Sequence, residues 1–81
     1  MALYRELAAS RPDAFRPDLA SSLNNLSGRL DGVGRREEAL STSEEAVTVY
    51  RELAAERPAV FDEPLAVAQA QLEKISRSVA I

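Results

Sequence analysis

A phrase of six residues, Tyr4-Arg5-Glu6-Leu7-Ala8-Ala9, returns unchanged 46 residues later as Tyr50-Arg51-Glu52-Leu53-Ala54-Ala55. Arg11-Pro12 returns as Arg57-Pro58, Phe15 as Phe61, Leu19-Ala20 as Leu65-Ala66, and Leu26 as Leu72. Of the 23 positions from Tyr4 to Leu26, 12 match their counterparts, which is far above coincidence. The chain is therefore built from a repeated unit, and its parsing has to respect that period.

Within the unit the apolar residues recur at helical spacing. Leu19, Leu23, Leu26, Leu30 and Val33 form one stripe, and Ala39, Leu40, Ala46, Val47, Tyr50, Leu53 and Ala54 form a second. Asp31-Gly32-Val33-Gly34 separates them, so the two helices should fold back as an antiparallel hairpin. The residue before a proline avoids helical backbone angles, so a first helix over Ala2–Ser10 should stop at Arg11-Pro12. A second should begin near Pro17, or as early as Asp13, and end at Gly32 in a left-handed cap. A third should run from after Gly34 to Arg57, with Glu37 and Glu38 in its acidic first turn. Ala59 to Phe61 reads as a connector, and Asp62 as the N-cap of a fourth helix that buries Leu65, Ala68, Leu72, Ile75 and Val79. Glu73 and Arg77 fall at a favourable spacing on it. No stretch alternates with the period of a strand. The expected fold is all-α, with about four helices in one small domain.

Composition removes several functions. With 81 residues, the core buries only about 60–65% of the unfolded surface. Ten basic residues face 13 acidic ones without a basic cluster, which argues against nucleic acid or an anionic membrane as partner. Neither cysteine nor histidine occurs, so thiolate chemistry, the commonest general base and the commonest metal ligand are all missing. There is no apolar run of membrane-spanning length, and Met1 to Leu7 lacks the pattern of a signal peptide. A soluble, cytoplasmic protein without cofactor or enzymatic activity is expected.

Leu23, Leu26, the small Ser27, Leu30, Gly34, Glu38-Ala39-Leu40 and Ala46 carry a resemblance to the tetratricopeptide repeat. Ser22-Leu23-Asn24-Asn25-Leu26 followed by Gly34-Arg35-Arg36-Glu37-Glu38-Ala39 resembles the kinesin-light-chain variety found in bacterial repeat proteins. Small residues at 27, 39 and 46 suit close approach of two helix backbones. Ser43 stands where that family usually places a large aromatic, so looser packing is expected there. Arg51 replaces the usual closing proline, which delays closure to Pro58 and stretches the period beyond the usual ~34 residues. The resemblance implies a solenoid fragment in which 1–12 is the tail of a preceding repeat and 13–58 one complete repeat. Residues 59–81 would be the first helix of a following or capping repeat.

It also implies a role in protein–protein contact. In such repeats the first helices line a concave face, and Asn25 matches a position that often hydrogen-bonds a bound peptide backbone. Ser21, Asn24 and Asn25 are therefore the candidate peptide-contact residues, the amides offering both donor and acceptor. The plainer reading is polar residues on the wet side of an amphipathic helix. Gly28, Gly32 and Gly34 have neither the preceding strand nor the Gly-Lys-Ser/Thr of a phosphate loop, so they read as turn and cap residues. The pairs Glu37-Glu38 and Glu44-Glu45 diverge around their helix and read as a solvated face. Ser41, Thr42 and Ser43 have no base to activate them. Tyr4 and Tyr50, at equivalent repeat positions, read as packing residues. The functional expectation is a scaffold for a protein or peptide partner. Its alternative is a purely structural segment of a larger bacterial signalling protein with an ATPase- or caspase-like parent. Repeat faces left open at both ends point further to self-association as a dimer.

Overall fold

The computed structural model describes residues 12–80. It contains three α-helices: α1 (Pro12–Gly32), α2 (Arg36–Glu56) and α3 (Pro58–Ala80). The described residues include no strand. The helix expected over Ala2–Ser10 lies outside them, so three of the four anticipated helices are seen.

The three helices form a single layer, 37 × 27 × 13 Å between extreme Cα positions. Helix α2 lies in the middle and packs along both neighbours, while α1 and α3 meet only narrowly. The Arg16 guanidinium near the start of α1 reaches the Glu56 carboxylate at the end of α2 with two bonds of 2.9 and 2.7 Å, so this pair runs antiparallel. Ser78 and Val79 near the end of α3 come beside Gly34 to Glu38 at the start of α2, which makes the second pair antiparallel too.

The α1–α2 turn is closed by backbone geometry. Arg35 N–H donates to the Leu30 carbonyl at 2.9 Å and Gly34 N–H to the Asp31 carbonyl at 3.1 Å. That is a Schellman motif, and its left-handed residue is Gly34 with φ +83°, not the expected Gly32. Because the helix ends there, Val33 falls in the turn and is 71% exposed, so it drops out of the α1 stripe. Leu19 and Leu23 are buried as expected, and Leu26 and Leu30 are half-buried.

Proline stereochemistry sets the other boundaries, earlier than expected. Helix α1 starts at Pro12, one residue before the earliest expected start at Asp13, and Pro17 lies inside it. Helix α3 starts at Pro58, so Ala59 to Phe61 are helical and no connector or Asp62 cap exists. Proline suits a first helical position because its missing N–H has no partner there in any case. The α2–α3 link is the single residue Arg57, forced by Pro58 to φ −141° and ψ 75°. Its N–H closes α2 on the Leu53 carbonyl at 2.8 Å, and its own carbonyl accepts the N–H groups of Val60 and Phe61.

Two apolar clusters hold the layer together. Ala20, Val47, Tyr50, Leu53 and Ala68 form the larger, with Phe61, Leu65 and Leu72 packed against it. Leu19, Leu23 and Ala46 form the smaller, with Phe15 from the first turn of α1 packed against it. Ser27, Ala39 and Ala46 are fully buried. Ser43 is fully buried as well, and its hydroxyl has no hydrogen-bond partner.

Candidate functional site

The middle of α1 places its three candidate residues differently. Ser21 is exposed, and its hydroxyl bonds the phenolic oxygen of Tyr50. Burial raises the Tyr50 pKa above its ordinary value, and the Ser21 hydrogen bond opposes that rise without cancelling it. Asn24 is half-buried. Its backbone carbonyl accepts the Ser27 hydroxyl at 2.7 Å and the Gln71 amide at 2.6 Å, while its own Oδ1 is shut from solvent with no hydrogen-bond partner. Asn25, a residue further round the helix, is exposed.

Gln71 is the polar latch between α1 and α3. The same Nε2 donates to the Ser27 hydroxyl at 2.7 Å, and it sits over Gly28, where an added Cβ would lie 3.5 Å away.

Beside the latch lies an open groove of about 430 Å³. Asn24 and Tyr50 line it from α1 and α2, and Val60, Glu63, Pro64 and Val67 line it from α3. Val60 and Val67 are 58% and 56% exposed. Glu63 is the one charged residue lining the groove. Pro64 cannot donate to the Val60 carbonyl one turn earlier, so that acceptor is also released from the helix ladder.

The structure thus brings Asn24 to the groove and ties Ser21 to its Tyr50 floor, but Asn25 does not line it. Tyr50 both packs and floors the groove, which repeat equivalence alone did not reveal. The α3 wall was equally hidden, although Val60 and Val67 lie seven residues apart and outside the buried stripe. Elsewhere, Glu38 is committed to Arg35 through bonds of 2.8 and 2.6 Å. No group of three or more acidic, histidine or cysteine residues placed to hold a metal occurs among the described residues, and no described helix is long and apolar enough to cross a membrane. Compared with family models, curated proteins and solved structures, the chain finds no match in any of the three.

Proposed function

We propose that this chain is a tetratricopeptide-type helical segment that serves as a protein–protein interaction scaffold without chemistry of its own. The observation that carries the reading is the groove. It combines a rigid amide at Asn24, a phenol at Tyr50 and two outward valines on a helix that packs firmly on α2. Such a surface offers aliphatic contact to a side chain and polar contact to an extended backbone. The single-layer construction leaves it open along one side, as entry of a peptide requires.

A screen of immobilised extended peptides against the full chain tests this reading. Peptides captured by the groove should be lost with Asn24→Ala or Val67→Ser and retained with Asn25→Ala, while helix content stays constant. Capture that ignores Asn24 and Val67, or no capture at all, rejects the scaffold reading.

A further inference from the structure

Helix α3 is the most apolar of the three helices, yet Ala68 and Ile75 are its only fully buried residues. Its outward side carries Ala59, Val60, Glu63, Ala66, Val67, Ala70, Lys74 and Arg77, all exposed. At 3.6 residues per turn these positions fall within an arc of about 120°, so they form one continuous face. Small and aliphatic residues make up its centre, with Glu63 toward one end and, toward the other, Lys74 and then Arg77, which is paired with Glu73 on its own helix. Open depressions flank it: the groove at Val60 and Val67, and a second of about 420 Å³ beside Ala70 and Lys74.

We propose that this face binds a second copy of the chain through an antiparallel α3–α3 pairing about a two-fold axis. The argument is charge register. Glu63 and Lys74 lie 11 residues apart, close to three full turns, and therefore point the same way. Their midpoint in sequence falls between Ala68 and Gln69, which is also the midpoint of Val67 and Ala70. A two-fold axis at that level sets Glu63 of each copy opposite Lys74 of the other, and Val67 of each against Ala70 of the other. One self-complementary patch then makes two equivalent ion pairs flanking a centre of large-on-small contacts. Parallel pairing would instead oppose Glu63 to Glu63 and Lys74 to Lys74.

A following repeat helix is the rival occupant, and the residues disfavour it. In α1 the buried face is Leu19, Ala20, Leu23 and Ser27. The positions 46 residues later are Leu65, Ala66, Gln69 and Glu73, of which all but Leu65 are exposed and two are polar. The side of α3 that would receive its own hairpin partner is thus half polar, whereas the adjacent face is apolar at its centre and sets Glu63 against Lys74. This pairing goes beyond the scaffold reading, though the two share the Val60, Glu63 and Val67 wall.

Sedimentation equilibrium of the full chain, with circular dichroism to verify folding, tests it. At high micromolar concentration the parent should sediment at twice 8.8 kDa. Glu63→Lys and Lys74→Glu should each weaken the dimer about tenfold by turning both ion pairs repulsive, and the double reversal should recover it. Val67→Glu, which plants a carboxylate at the centre, should leave a folded monomer. A single 8.8 kDa species throughout, a dimer indifferent to the single reversals, or a double reversal that fails to recover would each overturn the pairing. Lys74 lies outside the groove, so Lys74→Glu should not reduce peptide capture. The two proposals can therefore fail separately.

Discussion

Helices α1 and α3 are copies of one another at the level of sequence, with Phe15, Leu19, Ala20 and Leu26 recurring as Phe61, Leu65, Ala66 and Leu72. They are not copies in use. Helix α1 buries Leu19, Ala20, Leu23 and Ser27, whereas α3 buries Ala68 and Ile75, with Phe61, Leu65 and Leu72 half-buried. The two buried faces differ by roughly a quarter-turn about the helix axis. Both helices pack on α2, but from opposite sides of one layer, so each must present a different flank to the same neighbour. Substitutions have followed. Leu23 has become Gln69, Ser27 has become Glu73, and Arg16, which clamps α1 to Glu56, has become Asp62. Identity between repeats therefore predicts that a helix forms and does not predict which side of it is covered.

Paired mutations at equivalent positions can break this contrast. The largest effect should come from Leu23→Ala, which empties a fully buried site and should cost about 2–5 kcal/mol in urea unfolding. Gln69→Ala, its exposed counterpart, should stay within about 0.5 kcal/mol. Similar losses at both positions would mean that the two helices use the same face.

Ala20→Leu and Ala66→Leu sharpen the point because the parent residue is the same. Ala20 is wedged among Val47, Tyr50 and Leu53, so the larger side chain should cost about 1–3 kcal/mol. Ala66 is exposed in the single chain, and leucine there should leave thermal unfolding nearly unchanged at concentrations where the chain is a monomer. A destabilising Ala66→Leu would show that a covered surface has been taken for an open one.

Two glycines separate turn geometry from latch geometry. Gly34→Ala forces a side chain into a left-handed conformation and should cost about 1–2 kcal/mol. Gly28→Ala is in helical backbone with ordinary contact to Gln71, so it should gain about 0.5–1 kcal/mol in a thermal melt. A loss at Gly28 would show that the Gln71 latch needs more room than its contacts indicate.

The smallest effect concerns pH. Burial raises the Tyr50 pKa in the folded chain, so on alkalinisation the unfolded chain releases this proton first. The corresponding stability is complete below the ordinary tyrosine value of 10.0 and falls as pH rises from there through the folded value. Urea midpoints measured on either side of pH 10 should therefore drop for the parent more than for Tyr50→Phe. Equal drops would place the alkaline sensitivity elsewhere.

Local chemistry was legible without any structure. Proline stereochemistry marks the breaks at Arg57-Pro58, glycine the turn before α2, and periodicity the complete apolar stripe of α2, which is buried but for the half-covered Leu40. These depend on residues within one or two turns of each other, so they survive without knowledge of the fold. Even here the range was limited. Pro12 and Pro58 open their helices, whereas the sequence offers Pro17 or Asp13 and the Asp62 cap as starts, because proline at a first position competes on equal local terms with either. What only the tertiary structure decided is rotational. It chose Gly34 over Gly32 for the left-handed turn, sent Val33 to solvent, turned Asn24 but not Asn25 toward Tyr50, and left Val60 and Val67 uncovered. Each choice depends on where a second helix lies around the axis of the first. Helical periodicity supplies a stripe, while the neighbour that covers it is chosen by contacts distant in the chain, such as Arg16 with Glu56 and Gln71 with Ser27.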